Sequence, residues 1–95
     1  MKRIYKYQLQ IEGIQQISMP VGAQILKIDT QANVPVIWAL VAAGPVEETR
    51  VIETFGTGHE IPDDPKRTYL GSYQVSVWGN LFVGHVFEQQ TTSKV

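Results

Sequence analysis

"TYLGSYQVSVWGNLFVGHVFEQ", residues 68–89, holds two alternating apolar and polar runs separated by a glycine and an asparagine. Glycine at the first position of a two-residue loop is what a type II′ turn requires, so this stretch predicts a tight β-hairpin that turns at Gly79-Asn80. That register sets Val77 against Phe82, Val75 against Gly84 and Tyr73 against Val86 on one face, and Trp78 against Leu81, Ser76 against Val83 and Gln74 against His85 on the other. The second face carries Trp78, Leu81, Val83, His85 and Phe87. A chain of 95 residues cannot easily leave that much apolar surface in water, so a second sheet or a partner chain is expected to cover it.

The same period of two governs the rest of the chain. Tyr5, Tyr7, Leu9 and Ile11 fall on one face of an extended segment, with Lys6, Gln8 and Gln10 on the other. After a turn at Gly13, "IQQISMP" sends Ile17 and Met19 inward, and Pro20 to Gly22 closes it with turn chemistry. "AQILKIDTQA" sets Leu26 and Ile28 against Lys27 and Asp29. "VIWALVAA", Val36 to Ala43, is apolar on both faces, as a central covered strand is. "EETRVIETF" alternates more weakly, with Val51 and Phe55 against Arg50, Ile52 and Thr54. No stretch joins helical periodicity to an N-cap over more than about ten residues. The expected fold is therefore all-β: a small antiparallel sandwich or barrel of six to seven strands. Residues 1–88 form the single β domain, and 89–95 a flexible C-terminal tail.

Composition removes several functions. Eight Lys plus Arg against nine Asp plus Glu leave a net charge of −1, so the broad positive field of a nucleic-acid binder is missing. Without cysteine there is no disulfide, thiolate nucleophile or zinc thiolate, and two histidines are too few for a three-histidine catalytic zinc site. No metal and no cofactor are expected. The basic start "MKRIYKYQLQ" does not lead into the apolar run of a signal peptide, and "VPVIWALVAAG" falls far short of the ~20 residues that cross a bilayer. Neither export nor membrane insertion is expected.

Chemistry gathers in "FGTGHEIPDDP", Phe55 to Pro65. Gly56, Thr57 and Gly58 can present backbone N–H groups to an anion, with His59 as a further donor. His59 with Asp63 or Asp64 could instead serve as an acid–base pair, although the same residue types are the usual formers of turns. His85 and Trp78, on the second hairpin face, are the other candidates for ligand or partner contact. There is no G-x-S-x-G nucleophile elbow, and no catalytic residue is assigned.

The order "IYKYQLQI", "ISMPVGAQIL", "VPVIWALV", "GTGHEIPDD", "YLGSYQV" and "VGHVFE" resembles a family of small uncharacterised proteins encoded by bacteriophages and prophages, a domain of unknown function. "GTGHEIPDD" and "GHVFE" are its most distinctive pieces. The resemblance implies a phage or prophage accessory protein in the cytoplasm of a bacterial host, with no known activity to carry over. The expected role is non-enzymatic: binding a host protein or sequestering a small anionic ligand through Gly56, Thr57, Gly58, His59, His85 and Trp78. An acid–base enzyme and a minor virion component are the alternatives. The apolar hairpin face adds the expectation of a homodimer.

Overall fold

The computed structural model describes residues 1–11, 13–42 and 44–90. Seven strands run in chain order: β1 Arg3–Gln8, β2 Gly13–Pro20, β3 Gln24–Gln31, β4 Val34–Val41, β5 Glu47–Gly56, β6 Arg67–Val77 and β7 Asn80–Gln89. Every pairing is antiparallel. The strands form a three-stranded sheet in the order β1-β4-β3 and a four-stranded sheet in the order β2-β5-β7-β6. The described residues contain no helix, and the two sheets face each other as a sandwich without closing into a barrel.

The core lies between the sheets. β4, central in its sheet and apolar on both faces, turns Ile37, Ala39 and Val41 inward beside Ile28 and Leu9. Met19, Ile52, Tyr73, Val75 and Val86 meet them from the other sheet. Met19, Ile37, Ile52 and Val86 are wholly buried, each a gain of about 1.5–3 kcal/mol over an exposed position.

The two margins of the sandwich differ. On one side β3 lies along β6, joined by side chains: Thr30 Oγ1 donates to Gln74 O at 2.9 Å, Asn33 Nδ2 donates to Ser76 O at 2.9 Å, and Ser76 N donates to Asn33 Oδ1 at 2.8 Å. Asn33 can do this because the β3–β4 turn holds Ala32 and Asn33 at φ 51 and 62, the left-handed pair of a type I′ turn. On the opposite side, among the described residues, no ladder joins β1 to β2. At one end Arg50 closes the interior, forking onto the Glu88 carboxylate and donating from Nη1 to Ala23 O at 2.9 Å. The hydrogen bonds it donates to Glu88 hold the Arg50 guanidinium above its ordinary pKa despite its burial.

Several local expectations are corrected. The hairpin forms, but its loop residues are Trp78 and Gly79 rather than Gly79 and Asn80: Val77 pairs with Asn80, and Trp78 and Gly79 take φ 52 and 77. The turn is therefore type I′, and Val75 meets Phe82, Tyr73 meets Gly84 and Ser72 meets His85. Moving the turn by one position shifts each partner by two, so the assignment of residues to faces survives. In β3 a bulge between Ile25 and Lys27 turns Leu26 out to solvent and sends Ile25 inward with Ile28. In β5 the inward face is Arg50, Ile52, Thr54 and Gly56, and Val51 and Phe55 lie outside. The hairpin face carrying Leu81, Val83, His85 and Phe87 points away from the three-stranded sheet, so the sandwich interior is not what covers it. At the C-terminal end, Gln89 is still in β7, and Gln90 N donates to Lys66 O at 2.8 Å. The rest of the expected tail, 91–95, lies outside the described residues.

Candidate functional site

The candidate site begins where β5 ends. His59 N donates to Gly56 O at 3.1 Å, closing a four-residue turn whose third residue, Gly58, has φ 86. That is the position a type II turn reserves for glycine. The turn brings the His59 ring back over Gly56, so closely that a Cβ added to Gly56 would lie 2.9 Å from His59 Cε1. Gly56 is thus a platform for the histidine.

Thr57 faces the other way. Its Oγ1 lies 2.8 Å from Nε2 of His85, which stands opposite Phe55 and Ser72 on the outer face of the four-stranded sheet. The two histidines of the chain are therefore held by one turn, His59 on the inner side of β5 and His85 on the outer side. Gly56, Thr57 and His59 border a shallow pocket of about 240 Å³, whose opposite wall is Leu81, Phe82 and Val83 from β7. It is smaller than the ~300–1,000 Å³ that encloses drug-sized ligands, and suits a small anion or a single side chain.

Past the turn, Arg67 pins the rest of the loop. Arg67 Nη1 donates to Pro62 O at 2.6 Å and Pro65 O at 2.9 Å, while its Nε donates to Glu53 Oε1 at 2.7 Å. Gln89 Nε2 donates to the same Glu53 oxygen at 2.9 Å, and the guanidinium sits 5.4 Å from the Phe55 ring centroid. Burial alone would push the Glu53 carboxyl up, but the hydrogen bonds from Arg67 and Gln89 and the charge of Arg67 outweigh it and hold it below the usual value. Asp64-Pro65 is a cis peptide. Asp63 and Asp64 are exposed, and the loop is shaped by Arg67.

Of the residues singled out in the sequence, the fold brings Gly56, Thr57 and His59 together at the pocket, attaches His85 through Thr57, and leaves Gly58 as the turn former. Trp78 stands apart at the hairpin tip, 97% exposed. His59 forms neither a hydrogen bond nor an ion pair with Asp63 or Asp64 among the described residues. Three contributors were missed: the Leu81–Val83 wall, Arg67 and Glu53. The hairpin register points to the wall, but the Arg67–Glu53 pair spans two strands and leaves no local signal.

A broader hollow of about 610 Å³ lies on the outer face of the three-stranded sheet, lined by Lys6, Gln8, Gln31, Ala32, Val34 and Val36. Its one charge, Lys6, is committed to Gln31 Oε1 at 2.5 Å and lies 5.8 Å from the Trp38 ring, so it offers less convergent chemistry than the loop-end pocket. Among the described residues no three His, Asp or Glu side chains converge.

These features define a small antiparallel sandwich domain with a pocket at the end of one sheet. The chain belongs to the family described as Domain of unknown function (DUF7352), whose family model matches residues 1–95. No curated protein and no solved structure matches it.

Proposed function

We propose that the chain is a non-enzymatic binding domain that seats a small anionic or polar group in the pocket between the Gly56–His59 turn and Leu81–Val83. The observation that carries this reading is the turn itself, which brings both its polar side chains to the pocket. The Thr57 hydroxyl is tied to His85, and the His59 ring rests on Gly56, beside an apolar wall. A polar group held in place beforehand, as the Thr57 hydroxyl is, loses little entropy when a ligand arrives. The backbone N–H of His59 is already used by Gly56 O, so His59 offers its ring and not its amide. The setting supported by the likeness of "GTGHEIPDD" and "GHVFE" is that of a phage or prophage accessory protein in a bacterial cytoplasm, occupying a host protein or sequestering a ligand.

The test is a heteronuclear NMR titration of the labelled protein with inorganic phosphate, a nucleotide panel and small carboxylates, followed by mass spectrometry of the recovered ligand. The expected result is a shift confined to Thr57–His59 and Leu81–Val83, with the ligand recovered unchanged. His59→Ala is expected to weaken binding about tenfold while altering stability by no more than ~0.5 kcal/mol, as exposed loop substitutions do. Conversion of the ligand would replace this reading with an enzymatic one. A His59→Ala protein that melts many degrees lower yet binds as before would make the turn purely structural.

A further inference from the structure

Two sheets have four margins, and natural sheets guard their margins with charge, proline, bulges or a covering element. β3 and β6 each carry a bulge and are joined to one another by Thr30 and Asn33. β1 carries Arg3 and Lys6, charges of one sign along its length. β2, "GIQQISMP", has none of these guards over Gly13–Met19: no charge, no bulge, and its single proline at the last position. Ile14 on it is 59% exposed, and Gln16 and Ser18 beside it are exposed too.

We propose that the four-stranded sheet continues through β2 into the β2 of a second copy, making an eight-stranded sheet across a twofold axis. For the buried faces of both copies to stay on one side, the axis must stand perpendicular to the sheet and pass through a paired position. The longest such pairing that avoids Pro20, which has no N–H to give, is centred on Gln16. It places Gln16 against Gln16 of the second copy, Gln15 against Ile17, Ile14 against Ser18 and Gly13 against Met19. Every partner is uncharged, and the outer row of Ile, Gln and Ser answers itself. A second copy is the occupant the charge pattern favours: β2 neither repels itself nor presents a charge that would select a foreign strand. With a net charge of −1 on each chain, long-range repulsion is slight.

Because Gln16 sits on the axis, a charge placed there meets itself. Sedimentation velocity over a low to high micromolar series is the measurement, with circular dichroism and melting curves to confirm the fold of each protein. The wild type is expected to dimerise. Gln16→Lys and Gln16→Glu are each expected to raise Kd about tenfold or more, since two like charges about 5 Å apart at a surface oppose one another by that much. A one-to-one mixture of the two variants is expected to restore the dimer, and Gln74→Lys, the same change on the outer face of β6, to leave it intact. A wild type that stays monomeric throughout the series overturns the proposal. So does a Gln16→Lys protein that dimerises as before, a mixture that fails to rescue, or a dimer lost through Gln74→Lys.

Discussion

Gly84→Ala tests the packing of the four-stranded sheet most directly. Gly84 lies opposite Tyr73, and a Cβ built on it would sit 2.5 Å from Tyr73 Cζ and 2.7 Å from both Cε2 and Oη. Ordinary contact between such atoms begins near 3.5 Å, so the ring must move by about 1 Å. Tyr73 is buried, its hydroxyl donates to Ile11 O, and its ring centroid lies 6.2 Å from that of Phe82, so the movement strains a packed neighbour and a hydrogen bond together. Overpacking costs about 1–3 kcal/mol and a weakened buried hydrogen bond about 1, giving roughly 2–4 kcal/mol. For a chain of this size that lowers Tm by about 10–25 °C. Thermal denaturation followed by circular dichroism reads it, and adding Tyr73→Val, which removes the obstructing ring, should recover part of the loss measured against Tyr73→Val alone. Gly56→Ala is the control: the three atoms nearest its new Cβ all belong to the His59 ring, which is exposed and can swing away, so Tm should hardly change. If Gly84→Ala melts within about 3 °C of wild type, or Gly56→Ala is the more damaging of the two, the steric reasoning is wrong.

Trp78→Asn should raise stability by about 0.5–1 kcal/mol, because Trp78 holds a left-handed φ of 52, is 97% exposed and so has little packing to lose, and Asn-Gly is the preferred type I′ pair; a lower Tm would contradict this. Glu53 has a folded pKa held below its unfolded value of about 4.5, so the stability it adds is present above that pH and lost as pH falls through the folded value. Glu53→Gln should therefore flatten the acid limb of the stability curve. It should also cost about 1–2 kcal/mol at neutral pH by leaving Arg67, whose side chain is 7% exposed, without its carboxylate. Urea titrations across an acid pH series check both.

The fold was legible because period two runs through almost every segment and glycine or proline punctuates it, so the all-β class, a count of six to seven strands and the hairpin faces follow from local pattern, while the choice of sandwich over barrel does not. What escaped was decided at a distance. Gly79 reads as the first residue of a type II′ loop, since a tryptophan is a poor left-handed residue, and only the paired strands show that Trp78 accepts that conformation. In β5, Val51 and Phe55 look like the buried pair, yet Arg50 must face inward to reach Glu88 and Ala23, and Gly56 must face Gly84, which carries Ile52 and Thr54 into the core. At the candidate site, the turn chemistry of "GTGH" was readable from its glycines. The link from Thr57 to His85 crosses 28 positions, and nothing near either residue announces it.

The unequal margins also set how the molecule breathes. Side chains of Thr30, Asn33 and Ser76 tie β3 to β6, so that side acts as a spine, while β1 is held laterally by β4 alone. Opening the sandwich from the β1 side strips away one ladder and lifts Tyr7 and Leu9 off the core. Opening it from the β3 side must break the spine and uncover Ile28 as well. The cheapest excursion from the native state is therefore a peeling of the N-terminal strand, with amide protection rising from β1 through β4 toward β5 and β7 at the centre of the larger sheet.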